Sequence, residues 1–136
     1  MSVDWTDRQR RVDVANEFIR VIAAHGRRFF HHEGRVSRFE LDCSGRLWWV
    51  DKWRGSRLYC HQAGWWGRKF SEGGTMQVLA LALRDYIMAR AELPLGHLGP
   101  WPAFVGGDNG PDLWGYGGDM VKVRILCRAL AEGAPK

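Results

Sequence analysis

The chain has no apolar run near the length of about 20 residues that a bilayer-crossing helix needs. Cysteine is scarce. Cys43, Cys60 and Cys127 are odd in number and widely spaced, which argues against a disulfide framework and predicts buried thiols in a reducing compartment. Met1 to Arg11 is charged where a signal peptide carries an apolar core, so a cytoplasmic protein is expected, with no membrane partner. Motifs for chemistry are missing too. No histidine and cysteine spacing matches a zinc site, and adjacent strand residues such as His31 and His32 point to opposite faces. The run Ser71-Glu72-Gly73-Gly74-Thr75 places backbone N–H groups at a helix start but lacks the Lys-Ser/Thr element of a P-loop. Glu40, Asp42, Asp51 and Glu72 are conceivable acids or bases and His61 a base, yet no recognised motif sets a nucleophile against any of them. The expectation is a protein with no catalytic residues, no metal and no cofactor.

What remains is 136 residues, 46% hydrophobic and 26% charged, enough for one domain that buries about two thirds of its unfolded surface. The fold class expected is α+β. A first helix spans 6–25, where Val12, Ala15, Phe18, Ile19 and Ile22 recur at helical spacing. Phe39, Leu41 and Cys43 then alternate with Arg38, Glu40 and Asp42, predicting a strand over about 36–43. Further strands are expected at about 46–52, 57–62 and 65–70, the last weakened by Gly64 and Gly67. Together they make an antiparallel meander of three or four strands. A helix over 75–91, capped by Thr75, presents Met76, Leu79, Leu83, Tyr86 and Ile87, widened by Val78 and Leu81, and is read as the main cover of the sheet. The stretch 93–118 holds eight glycines and four of the five prolines and reads as a loop. A last helix over 119–131 would pack Met120, Val123, Cys127 and Leu130 and leave Lys122, Arg124 and Arg128 in water.

The segment from Arg46 to Phe70 holds five of the eight tryptophans and carries a charge of +5, equal to that of the whole chain. Its second strand is apolar on both faces, with Leu47, Trp49 and Trp53 on one side and Trp48 and Val50 on the other. Something must cover the second face, either later segments or a partner. Cations interleaved with flat rings suit nucleic acid, whose phosphates attract Lys and Arg while its bases stack on Trp. The competing reading is that the rings only fill the core. The residues expected to hold nucleic acid or another partner are Arg46, Trp48, Lys52, Trp53, Arg54, Arg57, Tyr59, Trp66, Arg68 and Lys69.

His25 to Phe30, Val36 to Asp42, Gly45 to Gly55, Phe70 to Thr75, Leu83 to Ile87 and Leu113 to Met120 resemble small uncharacterised proteins of proteobacterial phages and integrative mobile elements. The resemblance implies a setting, the contest between mobile elements and hosts, and carries no functional residues with it. In element order the chain is also similar to double-stranded RNA-binding domains and to plant-type AP2 domains, an analogy of topology alone. The function expected is a non-enzymatic binding protein of a mobile genetic element, its partner being nucleic acid of unspecified type. The alternative is an inhibitor or adaptor docking on a host nucleoprotein or defence protein, anti-CRISPR-like, through the same surface.

Overall fold

The computed structural model describes residues 5–25, 30–52, 55, 57–60, 74–95 and 117–133. The fold is α+β. In chain order it runs α1 (Trp5–Ala24), β1 (His31–His32), β2 (Arg35–Val36), β3 (Arg38–Leu41), β4 (Leu47–Val50), β5 (Arg57–Tyr59), α2 (Gly74–Ala89) and α3 (Gly117–Gly133). The expected strand at 65–70 and nearly all of the 93–118 loop lie outside the described residues, as do the histidine at 61 and the turn residues 71–73.

The helix α1 forms because Val12, Ala15, Phe18, Ile19 and Ile22 return to one face every three or four residues, and all five are buried. Asp7 lies in its first turn, where the helix dipole favours a negative charge. The strands β3, β4 and β5 form an antiparallel sheet in that order. Phe39 pairs with Trp49 and Trp49 with Leu58, so these three share one face, and that face is buried. Trp49 is its centre, meeting Phe39 edge-on at 5.0 Å and Phe30 at 5.7 Å.

Sequence spacing assigned the cover of this sheet to α2. α1 also lies against β3 and packs with both α2 and α3, while α2 adds Leu79, Ala80, Leu83 and Ile87 to the same core as Trp49 and Leu58 and reaches the end of β5 through Arg84 Nη1, which donates to the Cys60 carbonyl at 3.0 Å. The reason is polar as well as apolar. β3 is an edge strand, and the Asn16 amide closes the edge by donating to the Phe39 carbonyl at 2.9 Å and accepting from the Phe39 N–H at 2.6 Å. Arg8 adds a bond from Nη1 to the Gly45 carbonyl at 3.3 Å. Arg11, only 1% exposed, ties α1 to α2: its Nε meets Asp7 at 3.2 Å, its Nη1 donates to the Tyr86 carbonyl at 3.1 Å, and its guanidinium lies 4.8 Å from the Tyr86 ring. Burial raises the Tyr86 hydroxyl's pKa above its ordinary value, partly opposed by the Arg11 charge.

Several expectations need correction. A two-residue hairpin, β1–β2, precedes the sheet, turning at Glu33 and Gly34, both at positive φ as a type I′ turn requires. Ser37 breaks the strand expected to start at 36, because its hydroxyl turns to accept the Lys52 N–H at 2.9 Å. On α2, Leu79, Leu83, Tyr86 and Ile87 are buried, but Val78 is exposed. On α3, Val123 and Cys127 are buried as expected, and Arg124 is buried too rather than wet. Cys43 sits exposed in the β3–β4 turn, whereas Cys60 and Cys127 are buried, which pushes both thiols up to about 12.

Candidate binding face of the sheet

Antiparallel register decides which side chains share the sheet's other face. Arg38 pairs with Val50 and Val50 with Arg57; Glu40 pairs with Trp48 and Trp48 with Tyr59. Two adjacent cross-strand rows result, Arg38–Val50–Arg57 and Glu40–Trp48–Tyr59, all opposite to Trp49. The period-2 alternation that gave the strands also places these six together once the register is known.

Trp48 is the hub of this face. The Arg57 guanidinium lies 4.7 Å from the Trp48 ring centre, within cation–π range. Tyr59 flanks the indole with centroids 5.3 Å apart and planes tilted by 44°. The indole Nε1–H donates to Asp42 Oδ2 at 2.9 Å. Glu40 then bridges the two arginines, with Oε2 at 3.0 Å from Arg38 Nη2 and Oε1 at 3.5 Å from Arg57 Nη2. Arg38, Glu40 and Arg57 are each about half exposed, at 53%, 40% and 48%, so the ion pairs meet solvent and contribute little to stability, on the order of 0–1 kcal/mol. Their effect is positional. They hold the guanidinium of Arg57 over the indole.

Asp42 organises the neighbouring turn. Its Oδ1 accepts the N–H groups of Ser44 at 2.8 Å and Arg46 at 3.0 Å, and its carbonyl accepts the Gly45 N–H at 3.0 Å. The Trp48 indole bond, the two backbone N–H groups and the Arg46 charge together hold the Asp42 carboxyl below its usual value of 3.8, against a smaller opposing effect of desolvation. A carboxylate so placed is an acceptor, not a proton donor, near neutral pH.

Of the ten residues expected at the site, Trp48, Arg57 and Tyr59 come together in this cluster, and Arg46 is exposed at the turn leading into β4. Lys52 does not join them. It is 7% exposed, and its Nζ lies 5.7 Å over the Phe30 ring, a placement that desolvates the ammonium and lowers its pKa from 10.5 to about 8, the nearby Asp51 opposing the shift. Its charge is therefore withheld from any surface partner. Trp53, Arg54, Trp66, Arg68 and Lys69 lie outside the described residues. Sequence reasoning missed Arg38, Glu40 and Asp42 as members of the site, although their alternation with Phe39 and Leu41 put them on the outward side.

Elsewhere a shallow cleft of about 550 Å³ is lined by Glu17, Arg20, Val21, His25, His31 and Val36, among others. Among the described residues no three His, Cys, Asp or Glu side chains converge as metal ligands would, and no helix is long and apolar enough to cross a membrane.

The fold and face together define an α+β protein with helices packed on one side of a small meander and a charged aromatic cluster on the other. Residues 6–124 match the YoqU family, and the chain belongs to that family. Comparison with curated proteins and with solved structures gives no match.

Proposed function

We propose that the protein is a non-enzymatic binding protein of a mobile genetic element, in the setting that the resemblance to phage and integrative-element proteins implies, and that it docks on a host protein through the Trp48 face. One observation supports the reading: the Arg57 guanidinium lies over the Trp48 ring and is ion-paired with Glu40 at the same time. Among the described residues of this face Glu40 pairs with Arg38 and Arg57, and Asp42 stands beside Arg46, so the face is aromatic at its centre with its charges largely paired around it. Protein interfaces favour that composition, with Trp, Tyr and Arg at the energetic centre and paired charges toward the rim. A phosphate backbone rewards unmatched cations instead. A defence complex such as a CRISPR effector, the anti-CRISPR-like alternative, is the partner class that fits the setting.

Nucleic acid is the second reading, favoured by the +5 between Arg46 and Phe70 and by the exposed position of Arg46. A pull-down from host lysate with and without nuclease separates the two, followed by fluorescence anisotropy on duplex and single-stranded probes. The protein reading expects a partner retained after nuclease. Arg57→Glu should then slow association with that partner, and Trp48→Phe should speed dissociation, because rim charge steers encounter while the buried ring holds the complex. Capture abolished by nuclease, with probe affinity falling by a log–log slope of about 0.9 per phosphate as salt rises, overturns it in favour of nucleic acid.

A further inference from the structure

One helix carries an exposed apolar stripe bounded by opposite charges. α3 turns Val123 and Cys127 into the core with Leu130 packed behind them. Its other side presents Lys122, Ile125, Leu126, Arg128, Ala129 and Glu132, all exposed, with Ile125 at 61% and Leu126 at 41%. At 3.6 residues per turn, Lys122, Ile125, Ala129 and Glu132 follow one another along a single line, with Leu126 beside it. Two large apolar side chains in contact with water on one helical stripe, closed by a cation at one end and an anion at the other, make a seam for another helix.

We propose that this stripe is the contact of a homodimer in which α3 pairs antiparallel with α3 of a second copy. Charge complementarity selects that occupant. A two-fold axis at the level of Cys127 mirrors residue numbers about 127, so Lys122 faces the partner's Glu132 and Glu132 faces the partner's Lys122. Ile125 faces the partner's Ala129, a large side chain against a small one, and Leu126 faces the aliphatic stem of the partner's Arg128, whose charged end reaches water. Both ends attract. A parallel pair would set lysine against lysine and glutamate against glutamate. An isologous two-fold contact is also the commonest way for one surface to close on itself. A single helix pair buries less than the roughly 1,200–2,000 Å² of a stable interface, so the dimer is weak and concentration-dependent. It needs nothing from the Trp48 face and stands whether or not that face binds a host protein.

Sedimentation velocity on the full chain from about 1 μM to about 1 mM tests it, a range that brackets weak dissociation constants. The expected mass rises from that of the 15.6 kDa monomer toward twice that value. Ile125→Glu should stay monomeric. Lys122→Glu alone and Glu132→Lys alone should each weaken the dimer about tenfold or more, since either change makes both ends repulsive. Mixing those two single variants should restore association as a heterodimer, because every end then pairs unlike charges. The mixing arm also controls for folding, as a misfolded variant is not rescued by another. A wild-type chain monomeric throughout, a dimer indifferent to the three substitutions, or a mixture no tighter than its components overturns the proposal.

Discussion

Replacing Lys52 by methionine should remove a pH dependence that the wild-type chain carries in its core. Lys52 is 7% exposed, its ammonium lies over the Phe30 ring, and it follows the buried Asp51 in the chain. Its pKa falls from 10.5 to about 8, mainly through desolvation. The sign follows from proton counting. Between pH 8 and 10.5 the unfolded chain keeps the Lys52 proton that the folded chain has released, so the Lys52 contribution to stability rises with pH across that window. Linkage makes the penalty of burying Lys52 about 3 kcal/mol at pH 7, where it is held charged, and about 2 kcal/mol at pH 9, where the folded chain has given up a proton that the unfolded chain keeps. Cys60 and Cys127 act oppositely: their folded pKa values near 12 keep protons that the unfolded thiols lose above about 9, so the wild-type curve alone is nearly flat. Those thiols are common to both proteins and cancel in the difference. Urea unfolding of wild type and Lys52→Met at pH 7, 8 and 9 should therefore show the variant's advantage shrinking by about 1.4 kcal/mol over the series. Any fixed difference between methionine and neutral lysine shifts all three points equally. Parallel curves, with a pH-independent gap, would refute the buried-ammonium argument.

Asn16→Ala should destabilise the chain by about 2 kcal/mol in the same assay, since it leaves both the N–H and the carbonyl of Phe39 without their partner on the sheet edge; a change below about 0.5 kcal/mol would mean that water replaces the amide without loss. Asp42 has a folded pKa below 3.8, so its contribution is complete above that value and is lost as pH falls through the lower one; the Trp48 indole Nε1–H resonance should shift on acidification in wild type, and Asp42→Asn should abolish that titration. Alkylation at pH 8 read by mass spectrometry should label Cys43 in the folded chain and reach Cys60 and Cys127 only after unfolding, because burial blocks access and holds those thiols protonated.

The helices were legible because their signal is local. Val12, Ala15, Phe18, Ile19 and Ile22 repeat at a helical period whatever surrounds them, and α1 and α2 fall within two residues of the spans read from spacing. α3 begins two residues before the expected 119, where Gly117 and Gly118 suggested loop. The strand centres were legible by alternation, but their ends were not. Ser37 looks like an ordinary strand residue until its hydroxyl is seen to bind the Lys52 backbone, and the His31–Val36 hairpin has too little apolar alternation to announce itself. The part played by α1 was hidden for another reason. α2 is the more apolar helix and reads as the cover, yet the sheet's open edge at Phe39 is satisfied by an amide on α1, and no hydrophobic pattern encodes that.

The site shows the same division more sharply. Trp48, Arg57 and Tyr59 were identifiable from residue type, and their grouping depends only on the β4–β5 register. Lys52 and the charge balance were not identifiable, because both depend on what stands across space rather than along the chain. A segment count of +5 treats Lys52 as a surface cation, though the sheet turns it under Phe30. It also treats Arg57 as unopposed, though β3 brings Glu40 to 3.5 Å from it. The acids that neutralise the face come from 38–42, outside the basic segment, and antiparallel pairing lays them beside it. Local charge along a sequence therefore overstates the field at a sheet surface wherever the neighbouring strand carries the opposite sign. Among the described residues, the attraction that a polyanion would feel at the Trp48 face is largely spent within the sheet, which is why the proposed function puts a protein partner ahead of nucleic acid there.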